Sequence, residues 1–393
     1  MNNFECKMRI RRKTLLSICL VVLMLLVLNV VTSAQDKPDT VSSQDATVIA
    51  TEAHGRRPPY ADGGKLKFIL KVVDDEGKPV EGATIKVHLQ TGLTLQGALF
   101  DTASDQKLST DAEGRAIVNG KCVGEGKYWV GKGGYYSHSR HFMLYSDKFE
   151  DGKWQPYGAE RLVVLRKIRK PTRLHADHLT HLRWLNSEPT PEQLGKMGKP
   201  SWNNIWSWNG WLDLEAGDWI APYGAGRTPD ICLTVERIDP QDETRPGTPK
   251  NDAMRLKIHF SNPDDGGYAV PLDIDSEMQM PYHAEKEADY QPILYVPLNN
   301  IGKPLFSKMP LNEQSDEQGF FLRVRTVKDE EGNIVSAHYA KIYKVEAWEL
   351  HGKPGLYNGE LTFFYNPESN DTNLEYSPKE NVFDGAKVPQ YCH

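Results

Sequence analysis

Residues 65–89 read KLKFILKVVDDEGKPVEGATIKVHL, and this stretch decides the fold class. Leu66, Phe68, Leu70 and Val72 alternate with Lys65, Lys67, Ile69 and Lys71, the period of two that a half-buried strand requires. DDEGKPVEGA interrupts the pattern: Gly77 and Gly82 are free to take positive φ, and Pro79 stiffens the approach to the next strand. TIKVHL then resumes the alternation. Beyond it, LSTDAEGRAIVN, GKYWVGK, SRHFMLYS and ERLVVLRKI repeat the same rhythm to residue 170, as in a sandwich of about seven strands.

The rest of the chain follows the same pattern. GWLDLEAGDWI, DICLTVERI, AMRLKIHF, PILYVPL, GFFLRVRTV, SAHYAKIYKVEAWEL and GELTFFYN are further strands, and FLRVRTVKDEEGNIVSAHYAKIY is a hairpin turning at DEEGN, where Gly332 and Asn333 tolerate left-handed backbone. With frequent Gly and Pro and no long 3.6-residue period, the expected fold class is all-β, with two β-sandwich-type domains. Their bounds read 65–170 and 206–393, joined by a connector at 171–205 in which KPTRLHADHLTHLRWL is expected as a short helix.

VVDDEGKPVEGATIKV at 72–87 and STDAEGRAIV at 109–118 resemble the paired signature of carboxypeptidase regulatory-like domains. The resemblance implies a transthyretin-like or Ig-like sandwich and an extracytoplasmic accessory role, without catalysis of its own. The second half resembles uncharacterised secreted bacterial proteins with the same hairpin text, which implies no particular activity.

The N-terminus reads as an export signal over 1–34. Lys7, Arg9, Arg11, Arg12 and Lys13 precede an apolar run from Leu15 to Val31, and Thr32 and Ala34 place small residues ahead of Gln35. Cleavage there is the expectation, with retention as a single anchor the alternative. Residues 35–64 read as a polar tether. The whole chain carries −6; residues 1–34 hold five basic and one acidic residue, so the remainder carries −10. That balance argues against nucleic acid and anionic membrane as partners, and no second long apolar run offers a membrane span. Cys122, Cys232 and Cys392 are too few for a disulfide framework, and their pairing is open.

Five of the nine Trp residues lie in SWNNIWSWNGWLDLEAGDW at 201–219. Trp206 and Trp208, flanked by Asn203, Asn204, Asn209 and Asp213, form a candidate sugar-stacking platform; a buried core or seam is the other reading of the same rings. Asp213 and Glu215 stand two apart, a spacing compatible with a glycosidase pair. HADHLTH places His175, His178 and His181 three apart, and His138 and His141 share that spacing, without the i, i+4 zincin pattern. NPDDGG at 262–267 and DIDSE at 273–277 are acidic loops able to hold calcium, but they lack the full alternating ligand run, so turn chemistry is preferred. Arg323 and Arg325 read as sharing a strand face that grips an anion or lies salt-bridged at the surface. No catalytic constellation, metal or cofactor is expected. The resulting expectation is an exported, non-catalytic binding, cell-surface or adhesion protein with carbohydrate as the favoured ligand class. A glycan-acting hydrolase using Asp213 and Glu215, or a purely structural envelope component, are the alternatives.

Overall fold

The structure, a computed structural model, describes residues 63–92, 103–144, 149–188, 190–192, 207–237, 254–297, 309–310, 317–350 and 355–383. The export signal, most of the tether and Cys392 fall outside them. The described residues are built from strands: β1 (Gly64–Asp74), β2 (Thr84–Gln90), β3 (Ala103–Ser109), β4 (Arg115–Cys122), β5 (Glu125–Gly131), β6 (His138–Met143), β7 (Phe149–Glu150), β8 (Lys153–Trp154) and β9 (Ala159–Leu165) in the first part. The second part holds β10 (His175–Leu185), β11 (Ser207–Trp208), β12 (Trp211–Asp213), β13 (Asp218–Trp219), β14 (Ile231–Arg237), β15 (Met254–Phe260) and β16 (Gly266–Pro271). It continues with β17 (Ile293–Pro297), β18 (Met309–Pro310), β19 (Gln318–Lys328), β20 (Ile334–Glu349) and β21 (Leu356–Tyr365). The all-β expectation holds.

The first sandwich packs the sheet of β4, β1, β8, β7 and β9 against the sheet β18-β6-β5-β2-β3. Its core is the inward half of the alternation: Leu66, Phe68, Leu70 and Val72 from β1 meet Ile85, Val87, Leu89, Tyr128, Val130 and Phe142 from the facing sheet. The turns behave as their glycines predict. Gly77 and Gly82 have φ of 80° and 69°, and the Asp74 carboxylate accepts the N–H groups of Glu76 and Lys78, each at 2.9 Å. Gly114 has φ 74°, and a Cβ there would stand 2.3 Å from the Val72 carbonyl oxygen. Gly114→Ala is therefore expected to cost about 1–3 kcal/mol through backbone strain and displacement of β1. An unchanged urea midpoint would show that the turn relaxes freely.

The second body packs the sheet β11-β10-β21-β20-β19-β16 against β13-β12-β14-β15-β17. Trp184, Trp219, Leu212, Leu233, Leu256, Leu322, Ile342 and Phe363 fill the space between them. The opposite face of the six-stranded sheet carries a separate cluster, including Phe321, Tyr339, Tyr343 and Phe364, covered by Leu272, Met280, Ala284 and Leu374. The hairpin expected at DEEGN joins β19 to β20, with Gly332 alone of its residues at positive φ (87°).

The helix expected at HADHLTH is corrected: that segment is β10, paired antiparallel with β21 from His175↔Tyr365 to Leu185↔Leu356. A bulge between Leu179 and Leu182, with His181 at φ 60°, switches the buried face from Leu174 and Ala176 to Leu182 and Trp184. That switch breaks the period of two and hides the strand from a pattern reading. Two more bulges cross the same sheet at Arg325 (φ 55°) and Lys344 (φ 49°).

Candidate functional site

The most unusual chemistry lies at the seam where the first sandwich meets residues 272–282. β6 pairs with β5 along one edge. On its other edge Ser139 N–H donates to Asp275 O (2.7 Å) and Glu277 N–H donates to Ser137 O (2.9 Å), so DIDSE docks as a short extra strand. Within DIDSE a tight turn, Ser276 N–H to Asp273 O at 3.0 Å, turns both aspartates toward β6. The Ser137 hydroxyl and N–H also donate to the Glu277 carboxylate.

Facing them is His138. Its side chain is 4 % exposed, and its Nε2 lies 3.9 Å from Asp273 Oδ1, too far for a hydrogen bond. Its Nδ1 is buried and finds no partner among the described residues. The ring is held by stacking on Tyr128, with centroids 6.1 Å apart and planes 3° apart. Burial lowers the His138 pKa below the ordinary imidazole value, which leaves a lone pair available at neutral pH. One donor atom from each of His138, Asp273 and Asp275 lies within 4.8 Å of the others. Ligands each about 2.0–2.2 Å from an ion stand roughly 3–4 Å apart, so a small closing motion brings this set into coordination range. One imidazole with two carboxylates suits a borderline transition-metal cation better than Ca²⁺ or Mg²⁺, which prefer all-oxygen shells.

Two guanidiniums border the set. Arg140 Nη1 and Arg161 Nη2 both donate to Asp275 Oδ2, at 2.8 and 3.0 Å. Arg161 Nε donates to the Tyr128 hydroxyl at 2.7 Å, whose pKa is pushed up to about 12 by burial. The arginines fix Asp275 and leave Oδ1 for a ligand, but their charge opposes a second cation, so binding of modest affinity is expected. The acidic run of DIDSE was visible in the sequence, where turn chemistry was the preferred reading; that His138 faces it follows only from the docking of 275–277 on β6.

The other sequence candidates disperse. Trp202, Trp206, Asn203 and Asn204 lie outside the described residues, as does the Trp208 side chain. Asn209 is exposed at φ 68°, where its N–H donates to Leu185 O and its carbonyl accepts the Cys232 thiol. Trp219 is buried at 6.2 Å from Trp184, and Trp211 lies half-buried against His259. Both oxygens of the Asp213 carboxylate are engaged by donors of the chain itself. One oxygen accepts Glu215 and Ala216 N–H, the other Arg227 and Thr228 N–H, and Arg325 adds a charged donor at 2.9 Å. Burial pushes its pKa up, but these donors outweigh it and hold it below the ordinary carboxylate value. Glu215 lies in the turn after β12 and also binds Arg325. Arg323 and Arg325 do not share a face: the bulge sends Arg323 over Tyr290, 4.3 Å to the ring centroid, and Arg325 toward Asp230 and Tyr365.

The histidines of HADHLTH also part. His175 packs edge-on to Tyr365 and Phe383, His178 Nδ1 meets the Thr362 hydroxyl at 2.9 Å, and His181 occupies the bulge. His141 is half exposed beside Glu125. In NPDDGG the buried Asp265 accepts Arg325 and Thr326 N–H at 2.9 and 2.8 Å, which is turn chemistry. Cys122 and Cys232 are free and buried, Cys122 in the core of the first sandwich, their thiols pushed up to about 11 and about 12 by burial. They do not pair with each other.

No known family's model matches the sequence, and no curated protein matches it. Solved structures similar to parts of the chain include catechol-type dioxygenases. A 3-chlorocatechol 1,2-dioxygenase from Rhodococcus opacus aligns at 16% identity and TM-score 0.21 over 28% of this chain and 62% of its own. A hydroxyquinol 1,2-dioxygenase from Pseudomonas putida aligns at 14% and 0.21 over 27% and 58%. A chlorocatechol 1,2-dioxygenase from Pseudomonas putida aligns at 14% and 0.21 over 43% and 91%. The chain thus spans less than two thirds of the first of these. Such scores assign no activity to this chain. The expectation of a carbohydrate-binding or adhesion protein, with a glycan-acting hydrolase as its alternative, is corrected at the residues named for it: Asp213 and Glu215 are both engaged by Arg325.

Proposed function

We propose that this is a divalent-cation-binding protein whose ion is held at the seam by His138, Asp273 and Asp275. The observation that carries the reading is a buried imidazole whose Nδ1 has no hydrogen-bond partner among the described residues and whose Nε2 lies 3.9 Å from Asp273 Oδ1, with a donor atom from each of His138, Asp273 and Asp275 within 4.8 Å of the others. A cation there would bridge β6 of the first sandwich to residues 272–282, so binding would stiffen the joint between the two bodies. Export, and an accessory-type sandwich similar to carboxypeptidase regulatory-like domains, belong to the same proposal. They rest on the N-terminal pattern and on the motifs at 72–87 and 109–118. No helix among the described residues is long and apolar enough to cross a membrane.

The test is thermal unfolding of chelator-treated protein titrated with Mn²⁺, Co²⁺, Zn²⁺, Ca²⁺ and Mg²⁺. A transition metal is expected to raise Tm, with about 2–3 kcal/mol of added stability near a hundredfold excess over its Kd. His138→Ala and Asp273→Asn should fold and lose the response. A response to Ca²⁺ and Mg²⁺ alone, or one that survives His138→Ala, would overturn the assignment.

A further inference from the structure

Lys341 lies on β20, directly opposite Phe364 of β21 and Phe321 of β19, and is 2 % exposed. It belongs to the sheet face covered by residues 272–282, not to the core between the sheets. Its Nζ meets Met278 Sδ at 3.8 Å and stands 4.7 Å from the centre of the Phe364 ring. Among the described residues it has no oxygen acceptor. An ammonium so placed has lost its water and gained only a thioether and a ring face in return.

Two charged groups face it from neighbouring segments. Arg166, just after β9, opposes its protonation, and Glu375 favours it. Glu375 is already engaged, accepting the N–H groups of Arg169 (2.7 Å) and Lys170 (2.6 Å) and the hydroxyl of Tyr136 (3.1 Å). Burial, with Arg166 second, lowers the Lys341 pKa from 10.5 to about 7.

We propose that Lys341 is a proton sensor built into the seam: as a neutral amine it lets residues 272–282 pack closed on the sheet, and as an ammonium it drives that segment open to reach water. The segment is well placed to transmit the change. Met278 covers the amine, and the same segment docks the first sandwich through Asp275 on Arg140 and Arg161, Glu277 on Ser137, and the Tyr282 hydroxyl on the Lys167 carbonyl. Opening at Lys341 therefore loosens the joint between the two bodies. This inference stands without a bound cation.

The direction follows from linkage. Between about pH 10.5 and 7 the open state binds a proton that the closed state does not, so opening becomes about tenfold easier for each unit of falling pH and levels off below pH 7. The experiment is hydrogen exchange of peptides covering 272–282 in the full chain, with chelator present and labelling times scaled for intrinsic exchange. From pH 8.5 to 7.0 protection in the parent is expected to fall about fifteenfold, because the closed state is itself half protonated at pH 7. In Lys341→Met, of similar shape and without a charge, protection should be high and independent of pH. Lys341→Arg, charged throughout, should show low protection at both values. Constant protection in the parent, or an equal pH response in Lys341→Met, would overturn the proposal.

Discussion

Arg325→Met is expected to lower stability by about 3–5 kcal/mol at pH 7, a cost set by the carboxylates it would abandon. Arg325 Nε and Nη2 reach Asp230 at 2.8 and 2.9 Å, Nη2 also reaches Asp213, Nη1 binds Glu215, and the guanidinium lies 5.2 Å from the centre of the Tyr365 ring. Burial works against its charge, but Asp230 above all, with Tyr365 and Glu215, raises its pKa above the ordinary value. The two buried partners differ. Asp213 is held low by its backbone donors. Asp230, the more deeply buried, is raised by burial even with Arg325 beside it. The lowered Asp213 contributes stability above its unfolded value of 3.8 that is lost as pH falls through its folded value; the raised Asp230 has the opposite sign. Without the guanidinium, Asp230 shifts further upward and takes a proton more readily than it does in the parent. The deficit of Arg325→Met should then shrink between pH 7 and pH 5 in urea unfolding. A deficit under 1 kcal/mol, or one that grows on acidification, would show that the cluster is solvated.

Legibility in the sequence tracked the range of the interaction. KLKFILKVVDDEGKPVEGATIKVHL declared two strands and their turn, because alternation and glycine backbone freedom are local properties. HADHLTHLRWL concealed a strand, because the bulge at His181 moves the buried face partway along β10. Arg323 and Arg325 looked like one face for the same reason: a single left-handed residue reverses the side on which a side chain leaves the strand. The seam was harder still. His138 and DIDSE were both visible as polar motifs, but they lie about 135 residues apart, and only the docking of 275–277 on β6 brings them together. Lys341 reads as the polar half of an alternating strand. Its burial results from what covers that face, and the strand itself does not encode it. Asp213 misled in the opposite direction. Beside tryptophans it suggested chemistry, but four backbone N–H groups and an arginine make it a structural anchor.

Glu375→Ala is expected to cost about 3–5 kcal/mol and to loosen the first sandwich from the second body. Glu375 is 1 % exposed, and its two oxygens accept Arg169 N–H, Lys170 N–H and the Tyr136 hydroxyl. Those donors belong to the segment leaving β9 and to the turn before β6, so one carboxylate on the far side of the seam holds both. The alanine variant leaves two backbone N–H groups without a partner, at roughly 1–3 kcal/mol each, and opens space beneath Tyr136. Asn373 Nδ2 on the Lys170 carbonyl (2.8 Å) and Glu375 O accepting Thr172 N–H (3.0 Å) continue the attachment and should survive, so the bodies loosen without separating. Glu375→Gln keeps the shape and one acceptor oxygen but turns the other toward a donor as an NH₂. It should fall between the parent and the alanine variant. Loss of Glu375 also removes the charge that favours protonation of Lys341, so the amine should titrate lower still. Exchange over 272–282 in Glu375→Ala would then go on rising to a lower pH before levelling off than in the parent. If its pH response is unmoved while stability falls, Glu375 fastens the seam without setting the charge of Lys341.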